Sequence, residues 1–204
     1  MIVIDDFING FSFVFANQNG LQPWEITNNL PTILLHHLSK VDDNYIVTDG
    51  IVIHRTAVVE KGAILKAPVI INENCFIGAN AYLRGGVYLG STCTIGPSCE
   101  IKSSIIFNNT SIAHFNFIGD SIIGHNVNFE AGSLTANHYN ERIDKKISVL
   151  CTSKTIDTGV EKFGALVGDN SKVGANAVLS PGTILKTNTV VKRLELIDQL
   201  NKIQ

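Results

Sequence analysis

The sequence predicts an all-β fold, a left-handed parallel β-helix of hexapeptide repeats with N-terminal and C-terminal helices. Two observations carry this prediction. Large apolar residues recur at steps of six, at Ile53, Val59, Leu65, Ile71, Ile77, Leu83, Leu89, Ile95, Ile101 and Phe107, with Ala113 on the next beat. A helix has a period of about 3.6 and a hairpin sheet a period of two, whereas a triangular prism that turns a corner after each short strand requires six. Four residues beyond each large side chain stands a small or β-branched one, in Ala57, Ala63, Val69, Cys75, Ala81, Val87, Cys93, Cys99, Ile105 and Ser111. Three hexads then make one coil of about 18 residues.

Residues 1–50 precede the repeat as an N-terminal strand and helix cap. In PWEITNNLPTILLHHLSKV, Pro23 starts a helix on which Leu30, Ile33, Leu34, Leu38 and Val41 share one face, and Trp24 belongs to the same packing. Residues 51–191 form the prism. After Ala113 the register slips by four residues, resumes at Ile123-Gly124 and Phe129-Glu130, and returns at Val167, Val173, Leu179, Leu185 and Val191. The interruption, at about 136–165, is a loop leaving the prism. Residues 192–204 close the chain as an amphipathic helix within KRLELIDQLNKIQ. Both ends are expected to cap or dock against the prism, since a bare solenoid end exposes unpaired backbone and apolar side chains.

Composition narrows the function classes. The 204 residues, 45% apolar with a formal net charge of -2, suit one well-buried domain with terminal elements. No window approaches the roughly 18 uninterrupted apolar residues of a membrane helix, and the start MIVIDDF is acidic where a secretory signal is basic. A cytoplasmic protein is expected. Near-neutral charge gives no footprint for nucleic acid, and no polybasic tail favours a membrane surface. Any anion site is therefore local. Without a Cys-x-x-Cys, the four cysteines are expected as free thiols, three of them in the small slot of the repeat.

The position after each large residue often holds glycine, as at Gly78, Gly90, Gly96 and Gly124, but it also holds Lys66, Arg84 and Lys102 at intervals of 18. One coil per interval stacks these cations on one face about 4.8 Å apart, where like charges repel. Either their long stems splay into solvent or an anion sits among them, and a planar fork beside a point charge suits a phosphate. His114 takes the same position around the corner, twelve residues past Lys102. An imidazole there can be merely structural, or it can accept a proton as a general base with Glu100 orienting it. No His-x4-His occurs, and His114, His125 and His138 straddle the register slip, so no metal is expected.

These residues carry a resemblance. The stretch from Arg84 to Asn137 resembles the acetyltransferase domain of the bifunctional glucosamine-1-phosphate N-acetyltransferase/uridylyltransferase family and its archaeal-type sugar-1-phosphate relatives. AHFNFIGD followed by IIGHNVNFEAGSLTAN is similar to that family's Ala-Gly-His, Tyr-Leu-Gly-Asp and Gly-x-Asn-Val-Asn-x-x-x-Gly-x-x-x-x-Asn run, with matching spacing to Arg84 and Lys102. KTIDTGVEKFGALVGDNSKVGANAVLSPGT is similar to the archaeal-type members, which extends the likeness over about residues 51–191. The resemblance implies acetyl-CoA-dependent N-acetylation of glucosamine 1-phosphate or galactosamine 1-phosphate, in UDP-N-acetylglucosamine biosynthesis. It implies His114 as general base, Glu100 as its acidic neighbour, Arg84 and Lys102 as phosphate-holding cations, and Asn128 and Asn137 as sugar contacts. It also implies a homotrimer with acetyl-CoA in the groove between neighbouring prisms, near the backbone of Ala131.

The chain departs from the family at Phe117, where a tyrosine hydroxyl reaches the phosphate, and at His138, which replaces a second tyrosine. Ile143 stands in for a family lysine, with Arg142, Lys145 and Lys146 close by in sequence. The first 50 residues are too few for a nucleotidyltransferase domain, so uridylyltransferase activity is not expected of them. Two other readings stay open: a non-catalytic trimeric scaffold that binds sugar phosphates, and an acetyltransferase for a nucleotide-linked amino sugar.

Overall fold

Short parallel strands from Ile51 to Ile197 wind into a three-sided prism in the computed structural model, which describes residues 1–38 and 41–200. One face shows the register: Ile64 pairs with Tyr82, Tyr82 with Glu100, Glu100 with Phe117, Phe117 with Leu134, Leu134 with Val178, and Val178 with Leu196. The parallel β-helix expected from the period of six is therefore present. Its corners repeatedly use left-handed asparagines, among them Asn74, Asn80, Asn109, Asn126, Asn170, Asn176 and Asn188. Asparagine tolerates this conformation because its short amide bonds locally.

The inner ladder departs from the expected beat after Ile101. Ile106 and Ile112, not Phe107 and Ala113, point into the core, followed by Ile118, Ile123 and Phe129. The cause is one corner: Arg84 pairs with Lys102 but Val87 with Ser104, so Gly85-Gly86 are answered by Ser103 alone. The next two coils, Ile101 to Ile118 and Ile118 to Thr135, are each one residue shorter there, with a single step of five among steps of six. Ser104 and Thr110 accordingly replace Ile105 and Ser111 in the small slot. Both are buried, and their hydroxyls donate to the carbonyls of Lys102 and Gly124 at 2.7 Å each, as buried polar groups must. Ile105 and Phe107 turn outward.

That outward turn builds a second core. Val52, Ile70, Ile105, Ile122, Leu166 and Ile184 present an apolar face, and Phe7, Phe11, Phe15, Trp24, Leu30 and Leu34 cover it. The N-terminal cap thus docks along a side of the prism rather than across its end. The expected helix is two helices, Pro23–Asn28 and Leu30–Leu38. Glu25 closes the first with a capping box, accepting from the Gln22 N–H at 2.6 Å, while Asn29 interrupts the axis by donating its amide to the Glu25 carbonyl at 2.9 Å.

The loop between Ala136 and Ala165 does leave the prism but folds back onto this second core. It carries an antiparallel hairpin, Ser148–Cys151 against Lys154–Asp157, and buries Tyr139, Ile147, Val149 and Phe163. At the other end the expected C-terminal helix is not formed over residues 192–200. Leu196–Ile197 pairs with Val178–Leu179 instead, because Ile197 keeps the beat of Leu185 and Val191, and the open backbone edge below it can be paired. Residues 201–204 of that expectation lie outside the described residues. Cys75, Cys93 and Cys99 are buried free thiols, and Cys151 is a half-buried one. Among the described residues no helix is long and apolar enough to cross a membrane.

Candidate active site

The cation column forms as the spacing predicts. Pairing of Leu65 with Leu83 sets Lys66 beside Arg84, Arg84 pairs with Lys102, and Gly119 is the next rung. Each inner cation reaches a carboxylate one coil on. Arg84 donates from Nε and Nη2 to Glu100 Oε1 at 2.7 Å, and Lys102 Nζ lies 2.5 Å from Asp120 Oδ2. These acids interleave the like charges, which would otherwise repel across adjacent strands. The column also deepens: Lys66 is exposed, the Arg84 side chain is 39% exposed, and those of Lys102 and Asp120 are 15% and 5% exposed.

Asp120 joins the column to the rest of the site. The same Oδ2 accepts from Asn137 Nδ2 at 2.5 Å, and Asn137 Oδ1 lies 3.2 Å from His138 Nδ1. Gly119 makes this convergence possible, since a Cβ there would stand 2.6 Å from Phe117 Cζ and 2.9 Å from Asn137 Nδ2. The missing side chain is replaced by an aromatic ring and an amide beside Lys102. Asp120 is the residue that sequence reasoning missed. It lies 18 residues after Lys102, one position past Gly119, the rung that pairs with Lys102 in the shortened coil.

His114 stands apart. Because the coil is shortened, Ala113 rather than His114 follows the large residue Ile112, and His114 lies on the exposed corner before the strand Phe117–Gly119. Its ring meets that of Phe115 edge-on at 5.5 Å between centroids, and its imidazole nitrogens have no protein partner among the described residues. Glu100 does not orient it. Register puts Glu100 on the flat face beside Phe117, where Arg84 engages it.

Asn128 and Ala131 fall elsewhere again. Asn128 pairs with Ser111 and Lys172 on the third face of the prism. It lines a groove of about 470 Å³ together with Glu130, Lys172, Lys192 and Arg193, and Ala131 follows the lining residue Glu130 in the chain. Arg193 holds Glu130 by two bonds of 2.7 Å, and the Ala175 N–H adds a third at 2.8 Å. This pairing holds the Glu130 carboxyl below the ordinary carboxylate range. One chain therefore gathers Arg84, Glu100, Lys102, Phe117, Asn137 and His138, and leaves His114, Asn128 and Ala131 on other parts of its surface. Among the described residues no three His, Cys, Asp or Glu side chains gather as a metal would require.

Comparison with known proteins agrees with this architecture. Residues 65–160 match the GMPPB C-terminal domain, and residues 157–192 match the hexapeptide repeat of succinyl-transferase. Over 73 residues the chain is 45% identical to the bifunctional protein GlmU of Methanocaldococcus jannaschii, covering 36% of this chain and 17% of that protein. Over 76 residues it is 40% identical to the bifunctional sugar-1-phosphate nucleotidylyltransferase/acetyltransferase of Sulfurisphaera tokodaii, covering 37% and 18%. The chain thus spans less than a fifth of the length of these relatives, and the sequence resemblance holds over that segment. A crystal structure of a GDP-perosamine N-acetyl transferase from Caulobacter crescentus with CoA and GDP-perosamine is 11% identical, covering 68% of this chain and 49% of that one. Its TM-score of 0.34 is too low to bear on the fold.

Proposed function

We propose that the chain is an acetyl-CoA-dependent N-acetyltransferase whose acceptor is an amino-sugar 1-phosphate, glucosamine 1-phosphate or its galactosamine epimer. The observation that carries this reading is the cation column ending in the Lys102, Asp120 and Asn137 cluster. Arg84 and Lys102 supply a fork and a point charge to the 1-phosphate, and Asn137, oriented by Asp120, faces the sugar. Acetyl-CoA supplies the acetyl thioester, and the groove beside Ala131, with Lys172, Lys192 and Arg193, has the charge to hold its phosphates. As the amine attacks the thioester carbonyl, the amide C–N bond forms, the C–S bond breaks and CoA leaves as a thiolate that takes up a proton; His114 accepts the proton lost by the amine, a general-base role worth about 10²- to 10⁴-fold in rate.

A homotrimer is part of this proposal. The imidazole, the column and the groove occupy separate surfaces of one prism, and packing of neighbouring prisms is the means of joining them. Free-thiol release from acetyl-CoA is the test, with each 1-phosphate epimer and with His114→Ala. Turnover is expected from one epimer and should fall at least about 10²-fold in the variant. No thiol release from either epimer by the folded protein overturns the reading. The scaffold alternative is favoured by Phe117, which offers no hydroxyl to a phosphate; saturable acetyl-CoA binding in calorimetry would count against it.

A further inference from the structure

We propose that the cation column holds two phosphoryl groups in series, with Lys66 taking the second, so that the acceptor class extends to amino sugars linked through a diphosphate. This rests on the reading of Arg84 and Lys102 as the phosphate site. Lys66 continues that column in register, one coil or about 4.8 Å beyond Arg84. It differs from the other two cations in its surroundings. Arg84 is matched by Glu100, which occupies the rung of Tyr82, and Lys102 is matched by Asp120, which occupies the rung of Ser103. At the corresponding positions one coil on from Lys66 stand Tyr82 and Gly85, neither of them an acid. Lys66 forms no ion pair among the described residues, and its charge adds to that of Arg84 without an intervening carboxylate.

Arg84 can serve both phosphoryl groups. Glu100 takes its Nε and Nη2 donors, and guanidinium has five N–H groups in a fixed fork, which leaves donors for an anion on either side. The burial gradient then sets the direction of the ligand. The sugar lies at the buried end, by Asp120 and Asn137, and the chain of phosphates runs past Arg84 to the exposed Lys66. A substituent beyond the second phosphate, such as a nucleoside, lies past the exposed Lys66.

Calorimetric titration of the full chain with inorganic phosphate and with inorganic pyrophosphate at one ionic strength tests this. Pyrophosphate is expected to bind about tenfold tighter than phosphate, the gain from one added charge-assisted contact. Lys66→Ala should abolish that advantage and leave phosphate binding unchanged, while Lys61→Ala, an exposed lysine outside the column, should leave both unchanged. Pyrophosphate binding no tighter than phosphate, an advantage that survives in Lys66→Ala, or an equal loss in Lys61→Ala overturns the second site and leaves the first standing. Binding of neither anion by the folded protein overturns the phosphate reading of Arg84 and Lys102 itself.

Discussion

Asp120 sustains two neighbours with one carboxylate oxygen, taking the Lys102 ammonium and the Asn137 amide together. Removing one partner of a buried ion pair leaves the other charge without compensation, at a cost of about 3 to 5 kcal/mol. Asp120→Asn keeps the shape and deletes the charge, so it should lower unfolding stability by roughly that amount in denaturant titration. It should also release Asn137 from its set orientation. Glu100→Gln acts on a more exposed pair and should cost no more than about 1 kcal/mol. A loss for Glu100→Gln as large as that for Asp120→Asn would contradict the burial gradient along the column.

Packing of whole elements depends on two kinds of contact, coil on coil and cap on face. Coils stack so closely at their corners that Gly96 has no room for a side chain, because a Cβ would run into the carbonyl of Ala113. That carbonyl belongs to the backbone of the next coil and cannot rotate away, so Gly96→Ala should prevent the prism from forming, seen as loss of soluble, cooperatively melting protein. The cap is held by aromatic packing. Phe11 stacks on Phe15 at 5.4 Å, and Trp24 meets Phe163 edge-on at 5.8 Å, tying the N-terminal helices to the inserted loop. Trp24→Ala should cost about 3 to 5 kcal/mol, and hydrogen exchange should rise in both the cap and the 148–157 hairpin. Faster exchange confined to the cap would show that the two are not one packed unit.

Across the whole molecule, the last coil is fastened to the middle of the prism by Glu130 and Arg193, 63 residues apart. The Glu130 carboxyl is held below its ordinary range by that pairing. A depressed folded value means the contribution is complete above the unfolded glutamate pKa and is lost as pH falls through the folded one. Amide protection at Val191 and Ile197 should therefore drop on acidification into that window, and in Glu130→Gln it should be lower at neutral pH and flat across it. The hexad rhythm by itself determined the parallel prism, its buried thiols, the exit of the loop near Ala136 and the cation column, because a solenoid converts spacing along the chain directly into neighbours in space. Tertiary structure alone decided the rest. The single-residue deficit opposite Gly85-Gly86 turned Ile105 and Phe107 outward and moved His114 off the beat, and a register change of one residue reverses which side of a strand faces the core. Pairing against an open edge made a strand of Leu196–Ile197, whose sequence alone suits a helix, and the choice of Asp120 over Glu100 as the buried acid came from which rung lies deeper, a depth that spacing does not encode.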